Sequence, residues 1–404
     1  MKADQLKVLV LSTVFPNPDR AVFGLFVFER IRAMAAVADV RVIAPTPWFH
    51  RPVRRCRKAA RGLAVIHPRY FYLPGLGKVF DGLLLFLSVI VLAVRLRRRF
   101  PFTLIDAHFG HPDGLAAILL GKCFSCPVVI TLRGSEIDHA QFLLRRWTLR
   151  WTLRRADRVI AVSEELAALA RNYGVPAERI TVIENGVDVR RFVPIDPQTA
   201  RVELGLTGRS PIVTSVGHLI PRKGFHRLLE VLPVLRAKYP QLLLCIVGGA
   251  AADDPYARKL HALVAEHGLE DTVRFAGARP PSELPAWLSA ADLFVLASAR
   301  EGCPNVVLEA MACGVPVVST RVGEVDRIVP AHAGLLADNA DSPGLEQTML
   351  KALDTHWDRT AIRTYMEQRT WQSVASRVLA QWQLAAARTG SAAVQGGAVR
   401  MQQR

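Results

Sequence analysis

Short apolar runs alternate with stretches of helical period from one end of the chain to the other. Six such runs mark the first half: Lys7–Thr13, Val40–Pro45, Thr103–His108, Pro127–Thr131, Arg158–Ser163 and Ile180–Glu184. Six more mark the second: Ile212–Gly217, Leu242–Gly248, Val273–Gly277, Leu293–Ser298, Pro316–Thr320 and Gly334–Ala337. They are apolar on both faces, as strands buried inside a parallel sheet are. Helical patterns fill the gaps, for example Glu164–Tyr173 and Phe225–Lys238. The alternation predicts βαβ units and an α/β fold of doubly wound parallel sheets.

A chain of 404 residues is too long for one core, so two domains are expected. The Pro- and Gly-containing stretches Pro194-Ile195-Asp196-Pro197 and Gly205–Pro211 place the join between residues 1–195 and 196–370. A last helix, 371–388, carries Trp371, Val374, Val378, Leu379, Trp382 and Leu384 on a helical period. Residues 389–404 are small, polar and Gly-rich, and a disordered tail is expected there. Lys7–Ser12 reads as a first strand rather than as the core of a secretory signal. The apolar run Leu83–Val94 is twelve residues long, below the length of a spanning helix, and Arg95, Arg97, Arg98 and Arg99 follow it.

Candidate chemistry gathers at strand ends. Glu301 and Glu309 lie eight positions apart in E-G-C-P-N-V-V-L-E. Gly302, Pro304 and Asn305 break the preceding strand and open a helix, so one carboxylate sits before the turn and one on the helix. Open α/β sheets bind nucleotides at such carboxyl ends, although two surface glutamates in a plain strand–turn–helix would read the same. Gly217-His218-Leu219-Ile220-Pro221-Arg222-Lys223-Gly224 also follows a strand and opens a helix. Helix openings attract phosphate, and Arg222 and Lys223 add charge; a solvated basic turn is the alternative. His108 ends a strand, followed by His111, Asp113 and Gly114, and a lone histidine there can be either a ligand or a structural hydrogen-bonding group. Gly24, in the loop after the first strand, would let backbone approach a ligand closely.

Taken together these segments resemble the retaining glycosyltransferases of the GT-B type, family 4. The carriers are E-x7-E at Glu301 and Glu309, the V-G-H-L-I-P-R-K-G-F turn, D-A-H at Asp106–His108, F-P-N-P with Gly24-Leu25-Phe26-Val27, and N-G-V-D-V-R-R-F-V-P from Asn185. The likeness runs from about Leu9 to Val378. It implies two Rossmann-like domains facing a cleft, with the last helix crossing back to the first domain. It implies a donor site formed by Gly24, Gly217, His218, Arg222, Lys223, Gly302, Cys303, Pro304, Asn305 and Glu309. In that reading Glu309 takes the ribose hydroxyls, Glu301 the sugar hydroxyls, Lys223 and Arg222 the departing diphosphate, and His108 the sugar. No metal and no cofactor is expected, the nucleotide diphosphate-sugar being a substrate.

Departures from the family pattern are local. His218 stands where an arginine is usual, removing a fixed charge. Arg133 and Glu136 replace a histidine and an aspartate in T-L-R-G-S-E, and are candidates for an anionic acceptor or for a surface ion pair. Glu324 replaces the second glycine after Gly323, and Arg327 stands where a glutamate is usual. These changes keep two other readings open: a nucleotide-sugar epimerase, or a non-catalytic homologue that binds sugar nucleotides or membranes. Neither G-x-G-x-x-G nor G-x-x-x-x-G-K-[ST] occurs, which disfavours dinucleotide oxidoreductases and P-loop enzymes.

Composition narrows the partners. The formal charge of +17 implies a polyanionic partner. Basic clusters lie at Arg51–Arg61, Arg95–Arg99 and Arg145–Arg155, the third interleaved with Trp147, Leu149, Trp151 and Leu153. A basic helix edged with aromatics suits an anionic bilayer surface, whereas a helix whose tryptophans pack in the core would look alike. No nucleic-acid module accompanies the charge. Of six cysteines only Cys123 and Cys126 form C-x-x-C, and no second pair completes a zinc set. A reducing cytoplasm, with peripheral attachment to the inner face of the membrane, is the expected location.

Overall fold

The computed structural model describes residues 6–49, 62–73, 75–251, 253–338 and 342–401. The Arg51–Arg61 cluster and Cys56 therefore lie outside the described residues. The chain divides into two compact units, residues 1–185 with 371–404, and residues 186–370.

The first unit is built on a parallel seven-stranded sheet. Its strands are β1 (Lys7–Leu11), β2 (Asp39–Ile43), β4 (Ala64–Ile66), β6 (Leu104–His108), β7 (Val128–Leu132), β8 (Arg158–Ala161) and β9 (Ile180–Val182), with β3 (Thr46–Pro47) and β5 (Arg69–Tyr70) paired separately. The order is β4-β2-β1-β6-β7-β8-β9, so the winding reverses between β1 and β6. Helices α1 (Leu25–Met34), α2 (Asp81–Arg99), α3 (Leu115–Phe124), α4 (Ser135–Ala140), α5 (Leu143–Leu153) and α6 (Glu164–Asn172) connect the strands. Val8, Val10, Leu104, Val129 and Ile160 are fully buried, which is why these runs are predominantly apolar.

In the second unit six parallel strands take the order β12-β11-β10-β13-β14-β15. They are β10 (Ile212–Val216), β11 (Leu243–Val247), β12 (Val273–Gly277), β13 (Leu293–Leu296), β14 (Val317–Thr320) and β15 (Gly334–Ala337). Here the winding reverses between β10 and β13. The helices are α7 (Pro197–Leu204), α8 (Phe225–Lys238), α9 (Pro255–Glu266), α10 (Leu284–Ser289), α11 (Asn305–Ala312), α12 (Val325–Ile328), α13 (Ser342–Asp354) and α14 (Arg359–Glu367). The unit begins before the Pro194–Pro197 stretch, because Val187 bridges to Thr370 and Arg363 donates to the carbonyls of Val189 and Phe192.

The last helix, α15 (Trp371–Met401), belongs to the first unit. Trp371, Val374, Val378 and Trp382 are buried in that unit's core with Val10, Ile31 and Ile160. Arg377 pairs with Glu184 at 2.7 Å, and Gln381 accepts from Arg158 at 2.6 Å. Leu384, expected on the packed face, is exposed. Helical backbone continues through residues 389–401, where a disordered tail was expected; five alanines from Ala385 to Ala393 favour it.

Helix α2 also corrects an expectation. Read as a twelve-residue run, it is nineteen residues long, and with the turn before it Gly77–Arg99 is long and apolar enough to cross a membrane. Leucine and arginine both propagate a helix well, so the arginines at its end extend it rather than stop it.

Candidate active site

In the second unit the candidate residues converge where the sheet reverses direction. The segment after β10 turns through Pro221–Lys223 into α8, and the segment after β13 carries Ser298 and Glu301. Lys223 Nζ lies 2.7 Å from Glu301 Oε1, and Arg222 lies 3.2 Å from Oε2. Ser298 Oγ donates to Glu301 Oε1 at 2.7 Å. Burial works against the charge on Glu301, but Lys223 and Arg222 outweigh it and hold the carboxyl below its ordinary value. Arg222 is fixed further through a 2.7 Å bond to the carbonyl of Arg300. Gly224 allows the two segments to approach: it has φ +70°, and any side chain there would collide with the carbonyl oxygen of Ala297.

Helix α11 turns Val307, Leu308, Ala310 and Met311 inward. Asn305 and Glu309, four positions apart, share its less covered face. Cys303 and Pro304 are buried in the turn before it, and Gly302 offers its carbonyl to the amide of Glu324 at 3.0 Å. Gly217 closes β10, and His218 beside it is exposed. Glu324 is buried, with Arg327 at 3.3 Å.

The first unit presents a buried charged network at its own reversal point, between β1 and β6. His108 ends β6 and is fully buried. Its Nδ1 accepts from Arg133 at 3.0 Å, and its Nε2 faces the Asp106 carboxylate at 3.3 Å. Arg133 donates also to Asn185 at 2.7 Å and lies over the Phe26 ring. Glu136, fully buried, accepts from the amides of Gly110, Arg133 and Gly134. Asp113 accepts from the amide and hydroxyl of Thr13, tying the β1 loop to the β6 loop.

The family model described as Glycosyltransferase Family 4 matches residues 24–191, and that described as Glycosyl transferases group 1 matches residues 196–369. The chain is a GT-B glycosyltransferase. A Bacillus subtilis protein assigned to teichuronic acid biosynthesis as a glycosyltransferase is 27% identical over 86% of this chain and 89% of that protein. A GDP-mannose-dependent alpha-(1-6)-phosphatidylinositol monomannoside mannosyltransferase of Mycolicibacterium smegmatis is 33% identical over 57% of this chain and 62% of that protein. Among solved structures, a sucrose-phosphate synthase from Thermosynechococcus elongatus matches 97% of this chain and 100% of its own, with a TM-score of 0.74 and 23% identity. Anabaena HepE, solved in complex with UDP-glucose, matches 96% of this chain and 100% of its own, with a TM-score of 0.68 and 22% identity.

Within this glycosyltransferase, Arg222 and Lys223 meet Glu301, and the Lys223 stem runs beside Gly217. Four expectations change. Glu136 does not face an acceptor, because both its oxygens are taken up by backbone amides. Arg133 is neither a surface ion pair nor an exposed acceptor group, because His108 and Asn185 hold it inside. His108 turns both ring nitrogens to protein groups and presents neither to solvent. Gly24 serves the chain itself: at φ +70° it starts α1 against the carbonyl of Val14. Sequence reading missed Asn185 as a partner of Arg133, since nothing local in the sequence signals a bond across 52 positions, and it took Ser298, three positions before Glu301, only as the end of a strand.

The network makes a pH prediction. Burial, with Arg133 and Arg30 nearby, lowers the His108 pKa to about 4 despite the attraction of Asp106. The unfolded chain takes up that proton near pH 6.5, so this contribution to stability is complete above 6.5 and is lost as pH falls to 4. The loss is ~3 kcal/mol. Asp113, raised by burial, and Asp81, raised by burial to about 6, work in the opposite direction. His108→Gln, which keeps an acceptor for Arg133, isolates the histidine. Urea unfolding should show the wild-type advantage shrinking by ~3 kcal/mol between pH 7 and pH 4. A pH-independent difference would refute this assignment.

Proposed function

We propose that this glycosyltransferase moves a sugar, with retention of anomeric configuration, from a nucleotide diphosphate-sugar to a hydroxyl of a glycan or lipid-linked acceptor. The observation that carries the reading is the Lys223–Glu301–Arg222 cluster at the opening of α8. A helix opening with two cations suits a diphosphate. The departing nucleoside diphosphate gains charge, and fixed cations stabilise that charge without the protein having to reorganise. This role needs no metal. Glu301 holds both cations in register and offers acceptor oxygens to sugar hydroxyls, while Glu309 on α11 accepts from the ribose. Support for the sugar-nucleotide class comes from the relatives, one of them named for GDP-mannose, and from the UDP-glucose in the HepE complex. Support for a reducing, cytoplasmic setting comes from Cys123, Cys126, Cys245, Cys303 and Cys313, all free thiols.

A thermal-shift screen of UDP-, GDP-, ADP- and TDP-sugars in EDTA tests the reading directly. A ligand that binds only the native state raises the melting temperature. Incubation with the active donor alone, followed by product analysis, separates transfer from epimerisation. With the donor known, Glu309→Ala should raise its KM by tenfold to a hundredfold, since charge-assisted hydrogen bonds contribute ~1.5–3 kcal/mol. The bond to ribose is made equally in ground and transition states, so kcat should change little. An unchanged KM would take Glu309 out of the site.

A further inference from the structure

Charge in this chain is not shared between the units. Residues 1–185 with 371–404 hold 32 Lys and Arg against 14 Asp and Glu, a balance of +18. Residues 186–370 hold 20 against 21, a balance of −1. The donor-site cations therefore do not explain the excess, which lies wholly in the first unit.

Helix α2 gives that excess a place to act. Gly82, Leu85, Val89 and Ala93 pack into the first unit, and Asp81 is buried at the helix start. The opposite face is apolar and uncovered: Phe80, Leu83, Leu87, Val91 and Val94 are exposed, Leu87 and Val91 each at 57%. These positions recur every three or four residues, so they form one stripe along the helix. At its end Arg97 turns inward to Cys126, whereas Arg95, Arg98 and Arg99 stay exposed, and no carboxylate among the described residues pairs with them. Arg95, Arg98 and Arg99 rim an open cavity of about 340 Å³ that Ile66, Leu92 and Leu96 help to line. Beside the helix the Phe71 amide donates to Ser88, and the Phe71 ring stacks on exposed Trp48. Helix α5 buries Leu149 and Leu153, but leaves Trp147 73% exposed.

A protein partner would cover the stripe, but would leave a row of unpaired arginines at its end to be matched separately. A bilayer meets both features at once, with acyl chains for the stripe and phosphates for the arginines. Spanning is a poor fit, because one side of α2 belongs to the domain core. We propose that the first unit docks on an anionic bilayer surface through α2, its exposed stripe among acyl chains and Arg95, Arg98 and Arg99 on lipid phosphates. The seat thus shifts from the Trp-bearing α5 to α2, with the aromatic groups at the edge.

The test is flotation of the full chain with phosphatidylcholine vesicles, with or without phosphatidylglycerol. The protein should float with the anionic vesicles at low salt and remain in solution with neutral ones. Arg95→Ser/Arg98→Ser/Arg99→Ser should weaken binding by about a hundredfold. Leu87→Glu/Val91→Glu should abolish flotation while leaving the melting temperature unchanged, since both side chains already face solvent. Failure to float, or equal flotation of the glutamate variant, would overturn the proposal. So would sedimentation showing that the stripe joins two copies, with the glutamates separating them. None of these readouts involves the donor site, so their failure leaves the proposed reaction standing.

Discussion

Lys223→Ala should lower kcat by about a thousandfold, equivalent to ~4 kcal/mol in the barrier, with little change in stability. Its ammonium sits 2.7 Å from Glu301 at the opening of α8, on a partly exposed side chain. Removing it opens no core cavity and leaves Arg222 to pair with Glu301. Catalysis gains only from interactions that strengthen toward the transition state. A cation beside the bridging oxygen meets that condition, because charge builds there as the sugar–oxygen bond breaks. Donor affinity should fall less than turnover, since Arg222 still meets the ground-state diphosphate. Lys223→Arg keeps the charge but not the point geometry, and should recover part of the rate. Single-turnover donor cleavage, alongside calorimetric donor affinity and a melting curve, separates these effects. Wild-type cleavage by the alanine variant would place the leaving group elsewhere.

The fold was legible because buried parallel strands leave a simple trace. All twelve predicted runs became strands, since Val8, Leu104, Val213 and Leu293 each meet protein on every side. Strand β4 was missed: it is three residues long, lies at the sheet edge and is only partly buried, so it lacks the trace of a strand covered on both faces. The ends of strands were legible too, and with them Gly217–Gly224 and Glu301. Strand order was not, so nothing in the sequence placed β10 next to β13 or Lys223 on Glu301, 78 residues away. The same limit explains Arg133 and Glu136. Their charges read as surface features because Asn185, His108 and the Gly110 amide lie far along the chain. The length of α2 was hidden differently: its end is written in arginines, which a hydropathy reading ends on and a helix does not.

Glu301→Gln should separate binding from chemistry in the opposite sense to Glu309→Ala. The carboxylate is the counter-charge to Lys223 and Arg222, with Oε1 taking bonds from Lys223 and Ser298. Glutamine keeps the shape and removes the charge. The two cations then face an incoming diphosphate with less to hold them back, so affinity for the nucleoside diphosphate should rise, by about 1 kcal/mol or severalfold in Kd. Turnover should nevertheless fall by about a hundredfold to a thousandfold. Two causes combine. The amide turns one donor group toward its former partners, so Lys223 and Arg222 lose their fixed positions, and preorganised charge is what lowers the barrier. A neutral oxygen also accepts more weakly from sugar hydroxyls than an ionised one. Calorimetry with the free nucleoside diphosphate and single-turnover cleavage of the matching donor read the two quantities apart. Tighter product binding with slower cleavage would fix Glu301 as the group that aims the cations. Weaker binding together with slower cleavage would instead make it scaffold alone, and the electrostatic account of leaving-group departure would have to be abandoned.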